Sequence, residues 1–455
     1  MNFLQIYSLN RRLEQADWDI ILGYARRVQV LHGLLGSCGL AVNCLKALSR
    51  PPSSTVSIFP KLREVWLTMP WKGVSCFVRQ LASPRLTNLF LSHPENLGNA
   101  IDAFGEGCPN MGDFGVLGSA NPDTISSLIC HWPNLYNANC AQVDLNVAAL
   151  SHLSRLHNLQ YLHFRLDEEV ADLIQSSQSG TPTLTFPALW SFRMVSRSLA
   201  SGRKFFHHFR LPVIYEHFYF PCVTPTALEL VSFFAALQES CGHNTLIRFN
   251  LVREDCFDFE SSSSVSETDE DLPPYYMTFD HLRPLTVFSN AQVINVSPGC
   301  GVDLTERELL RLASSWPHLK HFSLCSPHWT TSSGITPGGF VQLLERCRSL
   351  ESLSVMFDTR GYTEVPQGHP WGGLTMSKGF DTHIHLQSSL IEEESINALA
   401  VFFHVAPFPD FRLDTYWSDP DLQNGRVSEE LCNLYHDRWV KVRSLARSLW
   451  EERRA

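Results

Sequence analysis

Residues 156–164 read LHNLQYLHF and residues 316–324 read WPHLKHFSL, and the two stretches share one pattern of apolar side chains. In each, a large apolar residue is followed three and five positions later by two more, as in Leu159, Leu162 and Phe164. The last two alternate with other residues, which is typical of a β-strand that buries one face. Each stretch therefore predicts a short strand with two inward side chains.

The same phrase recurs along the chain, usually after a proline. The other clear apolar triplets are Leu62, Val65, Leu67; Leu86, Leu89, Leu91; Met111, Phe114, Val116; Leu135, Ala138, Cys140; Leu189, Phe192, Met194; and Leu350, Leu353, Val355. Less regular matches are Leu246, Phe249, Leu251; Val293, Ile294, Val296; and a weak copy from Phe408-Pro409. The first anchors advance by 24, 25, 24, 24 and 30 residues from Leu62 to Leu189, and by 31 from Leu319 to Leu350. This spacing is typical of leucine-rich repeats.

The residues between successive phrases predict helices. Thr305 and Glu308 form the T-x-x-E pattern of a capping box, and a proline at Pro317 ends the helical segment before the next strand. A strand and a returning helix, repeated without reversal, stack into a parallel sheet. The predicted fold is therefore α/β: an irregular leucine-rich-repeat solenoid, in the form of a horseshoe or arc, with a parallel β-sheet on the concave face and helices on the convex face.

The predicted domain organisation has three parts, because a repeat stack needs its ends covered. Residues 1–50 are an N-terminal helical cap, residues 51–425 hold the repeats, and residues 426–455 form a C-terminal capping helix. Asp17 is the predicted N-cap of the first helix, with an apolar stripe of Trp18, Ile21, Ala25 and Val28. Ser428 is the predicted N-cap of the last helix, which buries Leu431, Tyr435, Trp439, Val442, Leu445 and Leu449.

One acidic, serine-rich stretch interrupts the repeats at about 254–274 and predicts a disordered surface insertion. It carries eight of the 46 acidic residues, so the formal charge of -10 comes mostly from this segment. The rest of the chain has 36 basic and 38 acidic residues, so it has no excess of positive charge for binding DNA or RNA. We therefore expect no nucleic-acid partner.

The cysteine pattern and the hydropathy indicate the compartment. Thirteen cysteines are scattered singly, without a C-x-x-C pair, and predict buried thiols in a reducing environment. The first residues do not form a secretory signal, and no window reaches the roughly 18 apolar residues that a membrane span needs. A cytoplasmic or nuclear protein without a membrane partner is expected.

The chain resembles the F-box-like leucine-rich-repeat proteins that are abundant in mushroom-forming fungi. The likeness lies in Asp17-Trp18 with residues 24–28, in Phe279 through Pro284-Leu285, and in Leu304-Thr305 through Trp316-Pro317-His318-Leu319. The resemblance implies a substrate-recognition subunit of an SCF-type ubiquitin ligase. Only 16 residues precede Asp17, so the F-box itself is expected to be missing from this chain, and the ligase core is an expected partner only if an upstream F-box exists. A diverged paralogue or truncated gene model without independent function is a further alternative.

Enzymatic signatures are weak, and we expect no catalytic residues and no cofactor. The P-loop, the serine-hydrolase elbow and the H-E-x-x-H zinc motif do not occur in the sequence. The alternative is a metal-dependent hydrolase using His383 and His385, because alternating histidines on a strand can present two imidazoles to one metal. A strand with two histidines on its polar face is the simpler interpretation.

The phrase also predicts which side chains face the concave side, where a protein target is expected to bind. They flank the second anchor or follow the third, and they include Glu64, Asn88, Asp113, Asn137, Asn139, Asn250 and His321. Aromatic and arginine side chains most often anchor interfaces. The predicted binding residues are therefore Trp66, Phe90, Tyr161, His163, Arg165, Arg193 and Arg248; the alternative is that the aromatic side chains cover one another.

Overall fold

A computed structural model describes the chain in segments that form two compact units. The described residues are 6–7, 9–32, 39–40, 42–52, 57–67, 75–177, 184–212, 215–220, 225–253, 276–324, 334–364, 383–387, 389–405, 412–418 and 428–454. Unit 1 comprises residues 1–197 and 204–213, and unit 2 comprises residues 198–203 and 214–455. The predicted acidic insertion, and the weak copy at Phe408-Pro409, lie outside the described residues.

Unit 1 contains a parallel sheet in which each repeat phrase supplies one strand. Its described strands, in both chain and sheet order, are β1 (Val30–His32), β2 (Glu64–Leu67), β3 (Asn88–Ser92), β4 (Asp113–Leu117), β5 (Asn137–Asp144), β6 (Tyr161–Leu166) and β7 (Ser191–Ser196). The anchors of the phrase are buried: Leu159, Leu162 and Phe164 are at most 1% exposed. The sheet begins earlier than the phrase, because β1 lies within the segment 1–50 that the sequence assigns to a helical cap.

The helices of unit 1 cover the buried side of the sheet. They are α1 (Gln15–Ala25), α2 (Val42–Leu48), α3 (Ser75–Arg79), α4 (Asp102–Gly107), α5 (Pro122–Cys130), α6 (Val147–Leu153) and α7 (Glu168–Ser177). Helix α8 (Leu199–His208) follows β7, and its residues are divided between units 1 and 2. Phe114 of β4 packs edge-on against Trp132 after α5, with ring centroids 4.8 Å apart. Asn121 caps α5 by accepting from the backbone N–H groups of Asp123 and Thr124. Because side chains alternate along each strand, one face of the sheet packs against the helices.

The N-cap of helix α1 lies three residues before the predicted one. Glu14 is the N-cap residue, and the side chain of Asp17, at the third helical position, accepts from the Glu14 N–H at 2.8 Å. Arg11 also pairs with Asp17, which lowers the pKa of that carboxyl below its usual value. The prediction of Asp17 as N-cap was wrong because Asp17 is the third-position acid of a capping box, which accepts from the N-cap backbone N–H. Trp18 and Ala25 pack around Ile58 as predicted for the stripe, whereas Val28 lies beyond the helix.

Unit 2 repeats the same architecture. Its described sheet strands are β8 (Tyr215–Phe220), β9 (Arg248–Arg253), β10 (Val293–Ser297), β11 (His321–Leu324), β12 (Ser352–Ser354), β13 (His383–His385) and β14 (Arg412–Asp414), all parallel to their neighbours. In β10 the buried residues are Ile294 and Val296, preceded by the buried Ala291. Val293 is only half-buried, so its assignment as an anchor was wrong. Alanine is too small to stand out as an anchor in the sequence.

The helices of unit 2 are α9 (Ala227–Ser240), α10 (Phe279–Leu282), α11 (Glu306–Ser314), α12 (Pro337–Arg346), α13 (Ser395–His404) and α14 (Glu429–Arg454). The predicted capping box of α11 is confirmed: Thr305 Oγ1 accepts from Glu308 N at 3.3 Å, and Glu308 Oε2 accepts from Thr305 N at 2.9 Å. Within the described part of the chain, no helix combines the length and the apolar composition needed to cross a bilayer.

The C-terminal helix α14 packs on α13. Ser428 Oγ accepts from Leu431 N at 3.3 Å, which agrees with its predicted role as cap, and Trp439 Nε1 donates to the buried carbonyl of Ser389 at 2.9 Å. Leu445 was predicted to be buried, but it is 40% exposed; Ala446, the next residue round the helix, is buried instead. Each unit is therefore a stack of strand-plus-helix repeats, and the chain is an α/β leucine-rich-repeat solenoid.

Three further pairs of two-residue strands are Ile6–Tyr7 with Gly39–Leu40, Leu184–Thr185 with Phe209–Arg210, and Tyr276–Met277 with Gly301–Val302.

Candidate protein-binding face

The face of each sheet that points away from the helices carries every residue predicted to bind. We call it the open face, because alternate residues along each strand are directed to it. In unit 1 it holds Glu64, Trp66, Asn88, Phe90, Asp113, Asn137, Asn139, Tyr161, His163, Arg165 and Arg193, all half-buried. In unit 2 it holds Arg248, Asn250 and His321. The sequence therefore placed these residues on a common face of their sheets, while their binding role stays a prediction.

The strand register aligns one row of this face across all the described strands of unit 1. The row runs His32, Trp66, Phe90, Gly115, Asn139, His163, Arg193. Trp66 and Phe90 stack with ring centroids 4.2 Å apart and an angle of 16° between their planes, and His32 lies 5.1 Å from Trp66. Three aromatic rings thus form one continuous platform, which we call the aromatic row (His32, Trp66 and Phe90).

Gly115 makes room for the end of the aromatic row. A Cβ atom at Gly115 would lie 2.2 Å from Cε1 of Phe90, so the ring occupies the space that any other side chain would fill. Phe90 therefore lies across β4 and covers the Gly115 backbone. The alternative that the aromatic rings cover one another holds in part, because Trp66 and Phe90 are stacked yet neither is fully buried.

We expect Gly115→Ala to lower the free energy of unfolding of unit 1 by about 1–3 kcal/mol, because the methyl group overpacks against Phe90. In a Phe90→Ala background the same substitution should be close to neutral, which gives a coupling energy of about 1–3 kcal/mol in a double-mutant cycle. Urea denaturation measures both values. Gly23→Ala on α1 is the control, since no atom lies within 4 Å of a Cβ there. Equal losses with and without Phe90 would show that the ring does not fill this space.

Glu64 fixes the first half of the aromatic row. Its Oε1 accepts from Trp66 Nε1 at 2.7 Å and lies 2.6 Å from His32 Nε2. One carboxylate oxygen therefore orients both an indole and an imidazole. The sequence pattern did not select His32, because β1 lacks the apolar triplet and the adjacent apolar residues Val30 and Leu31 show no alternation.

The centre of the open face is rich in hydrogen-bond acceptors. Asp113 Oδ1, Asn137 Oδ1 and Asn139 Oδ1 are shielded from solvent and have no hydrogen-bond partner among the described residues. Burial and the nearby charge of Glu64 raise the pKa of Asp113 above its ordinary value. The centre therefore holds oxygen atoms that the fold itself leaves without donors.

The far end of the unit 1 face is basic. Arg193 Cζ lies 5.7 Å from the ring centroid of Tyr161, within cation–π range. Arg165 makes a two-point pair with Asp144, at 2.8 Å through Nε and 2.6 Å through Nη2. Since this pair neutralises Arg165, Arg193 is the stronger candidate for an anionic group on a partner.

The open face of unit 2 has a similar pairing of arginine with an aromatic ring. Arg248 Cζ lies 5.2 Å from the ring centroid of Tyr215, in the neighbouring strand β8. His321, two strands further on, has a lowered pKa because of burial, and the charge of Arg248 adds to this effect. The sequence pattern did not indicate Tyr215, because the repeat phrase cannot be followed around β8.

His383 and His385 do lie on a strand, but in different surroundings. His383 Nε2 lies 2.8 Å from Asp414 Oδ2. His385 is packed under the Tyr416 ring, 4.3 Å away, and its Nδ1 accepts from Gln387 N. No group of three or more potential metal ligands comes together in the described segments. Asp381, two residues before His383, lies outside the described residues.

Two of the described cysteines, Cys108 and Cys347, are fully buried just before a repeat phrase. Burial raises the pKa of the Cys108 and Cys347 thiols to about 11 in both cases. Both residues occupy the position that Trp132 and Trp316 fill in other repeats, as the sequence indicated. A protonated, buried thiol is a poor nucleophile and a poor metal ligand.

Comparison with known proteins adds the following. No protein-family profile and no curated protein matches the chain. Among solved structures, the chain is similar to an internalin from Listeria monocytogenes, with 13% identity and a TM-score of 0.44 over 87% of this chain and 93% of that one. It is also similar to the complex of Rad7 and Elc1 in yeast (14% identity, 79% and 80% coverage, TM-score 0.35). A further match is the TLR13–ssRNA13 complex (14% identity, 86% and 54% coverage, TM-score 0.38).

Proposed function

We propose that this chain is a non-catalytic, protein-binding repeat scaffold whose partner lies on the open face of the sheets. The observation that carries the proposal is the aromatic row, in which Trp66 and Phe90 are stacked and half-buried and the exposed His32 ring lies beside Trp66. Stacked aromatic side chains offer a large contact area with little conformational entropy left to lose on binding. The binding residues in this proposal are Trp66, Phe90, Tyr161, His163, Arg165 and Arg193 in unit 1, and Arg248 in unit 2.

The finer proposal follows the resemblance to F-box-like leucine-rich-repeat proteins. The repeats would then select the target of an SCF-type ubiquitin ligase, in the cytoplasm or the nucleus. Docking to the ligase core belongs to an F-box module and is no part of the binding face. Helices α1 and α14 act as the caps of the repeat stack in this proposal. The thiols of the described cysteines are compatible with a reducing compartment.

We expect the double substitution Trp66→Ala and Arg193→Ala to remove partner binding while the protein stays folded. Both side chains are half-buried on the open face, so their loss leaves the core anchors in place. Truncating two interface anchors typically lowers affinity by a factor of about 100 or more. Quantitative affinity capture of the full chain from cell extract, followed by mass spectrometry, measures the effect.

The matched control is Trp190→Ala with Arg155→Ala, which removes the same residue types from exposed positions outside the open-face rows. Proteins that depend on the face should be lost from the first variant and retained by the second. Circular dichroism checks that both variants are folded. A capture profile identical for wild type and both variants would contradict the proposed function.

A further inference from the structure

The charge on the open face of unit 1 is divided between its two ends. Glu64 and Asp113 are acidic residues on β2 and β4, and the described open-face positions of β1 to β4 hold no lysine or arginine. The arginines lie at the other end, on β6 and β7. The half of the face that carries the aromatic row is therefore acidic, and a partner group of complementary charge is a cation.

Aromatic rings cover Gly112 and Gly115, the two glycines that flank Asp113 in the chain. Phe90 covers Gly115 on the same strand, two residues after Asp113. Tyr136 covers Gly112 at the start of that strand, because a Cβ there would lie 2.7 Å from its Cε1. A carboxylate on the same face as an aromatic ring can hold a cation by ion pairing while the ring attracts it by the cation–π interaction.

The carboxylate of Asp113 does not stabilise the fold. Its pKa is raised above the ordinary value, so the folded protein disfavours the charged form, and stability falls as pH rises through that pKa. Glu64 repels it, and its Oδ1 has no donor in the described residues. A cation bound beside the carboxylate would offset this repulsion.

We propose that the partner docks an arginine side chain onto unit 1, with the guanidinium against the aromatic row and paired with Asp113. This inference rests on the proposed protein-binding function of the open face. Arginine fits better than lysine because the planar guanidinium stacks on rings and carries five N–H donors. Five donors exceed what one carboxylate needs, and the half-buried side chains of Asn137 and Asn139 lie beside Asp113 on the neighbouring strand.

The experiment uses the full chain and three short glycine-serine peptides, acetylated and amidated, that differ only in a central arginine, lysine or citrulline. Citrulline has nearly the shape of arginine without the charge. Isothermal titration measures binding at low ionic strength, where the ion pair is least screened. The arginine peptide should bind at least about tenfold more tightly than the citrulline peptide, with lysine in between.

Asp113→Asn should abolish the preference for arginine over citrulline, and Phe90→Ala should weaken all three peptides. Asp102→Asn, which removes an exposed carboxylate from a helix, is the matched control and should leave the preference unchanged. Because Asp113→Asn removes a disfavoured charge, we expect that variant to be at least as stable as wild type at neutral pH. Loss of binding would then not be due to unfolding.

Failure of this inference is distinguishable from failure of the proposed function. Equal binding of arginine and citrulline peptides, binding of neither, or a preference that persists in Asp113→Asn overturns the arginine site. The Trp66 and Arg193 capture experiment would still support the face in those cases. The two experiments can also disagree in the other direction. If the capture profile did not change on substitution of Trp66 and Arg193 while the arginine preference was lost in Asp113→Asn, the arginine site would be supported and the proposed scaffold function would fail.

Discussion

Acidification from about pH 7 to about pH 4 is expected to lower the free energy of unfolding of unit 2 by about 3 kcal/mol through His385 alone. Burial lowers the pKa of His385 from 6.5 to about 4, and the charge of His383 adds to this, while Asp414 opposes it. The folded pKa lies below the unfolded one. The stabilisation is therefore complete above the unfolded pKa and is lost as pH falls towards the folded one.

The measurement is the free energy of unfolding by urea at several pH values in this window. His385→Asn removes the titrating ring and keeps an acceptor near Nδ1 for the Gln387 N–H, so its stability should depend less on pH by about 3 kcal/mol. His157→Asn, at an exposed histidine in unit 1, controls for the loss of a histidine as such. If wild type and His385→Asn lose stability in parallel on acidification, His385 does not stay neutral in the fold.

This role differs from the metal hypothesis that the sequence raised for His383 and His385. A metal ligand needs a lone pair directed at open space, whereas Nδ1 of His385 already accepts from Gln387 N at 3.1 Å. Protonation would destroy that acceptor. The alternation of two histidines on a strand was visible in the sequence, but the burial of one of them depends on Tyr416, from a later repeat.

The repeat phrase predicted most of the fold because its anchors need no distant partner to be recognised. Apolar residues spaced as in Leu159, Leu162 and Phe164 are buried wherever the phrase is complete. The prediction fails where a small residue serves as anchor, as at Ala291 before β10, or where the apolar triplet is incomplete, as around β1. In such repeats the neighbouring strand, and not the local sequence, determines the register.

The candidate site was predictable to the level of its face and no further. Strand alternation gives the side on which Trp66 and Phe90 lie, because the period of a strand is two. It does not give their stacking, which depends on Gly115 in a different strand leaving space for the ring. The ion pair between Arg165 and Asp144 was also not predictable from the sequence, since it depends on the irregular end of β5, which brings Asp144 opposite Arg165. Pairings across strands follow from register and side-chain packing.

Gln387→Ala is expected to lower the free energy of unfolding of unit 2 by about 3 kcal/mol. Gln387 is fully buried after β13. Its Nε2 donates to the carbonyl of Leu324 at 2.6 Å and to Ser354 Oγ at 3.3 Å, so one amide ties the ends of β11 and β12 together. Alanine leaves the Leu324 carbonyl without its buried donor and opens a cavity.

A glycine substitution at Gln387 separates the loss of the side-chain hydrogen bonds from the strain in the backbone. Its φ of 50° lies in the left-handed region, which is unfavourable by about 1 kcal/mol or more for a residue with a Cβ. Gln387→Gly removes the same hydrogen bonds but relieves that strain, so it should be less destabilising than Gln387→Ala by about 1 kcal/mol. Urea denaturation compares both with Gln160→Ala, at an exposed glutamine in unit 1. An alanine variant as stable as this control would show that the amide does not hold the strands; a glycine variant no better than alanine would show that the backbone is not strained. The glycine variant loses the side-chain contacts but is relieved of the backbone strain. A free energy of unfolding that decreases in the order wild type, glycine, alanine would show that the side-chain contacts contribute more than the strain costs.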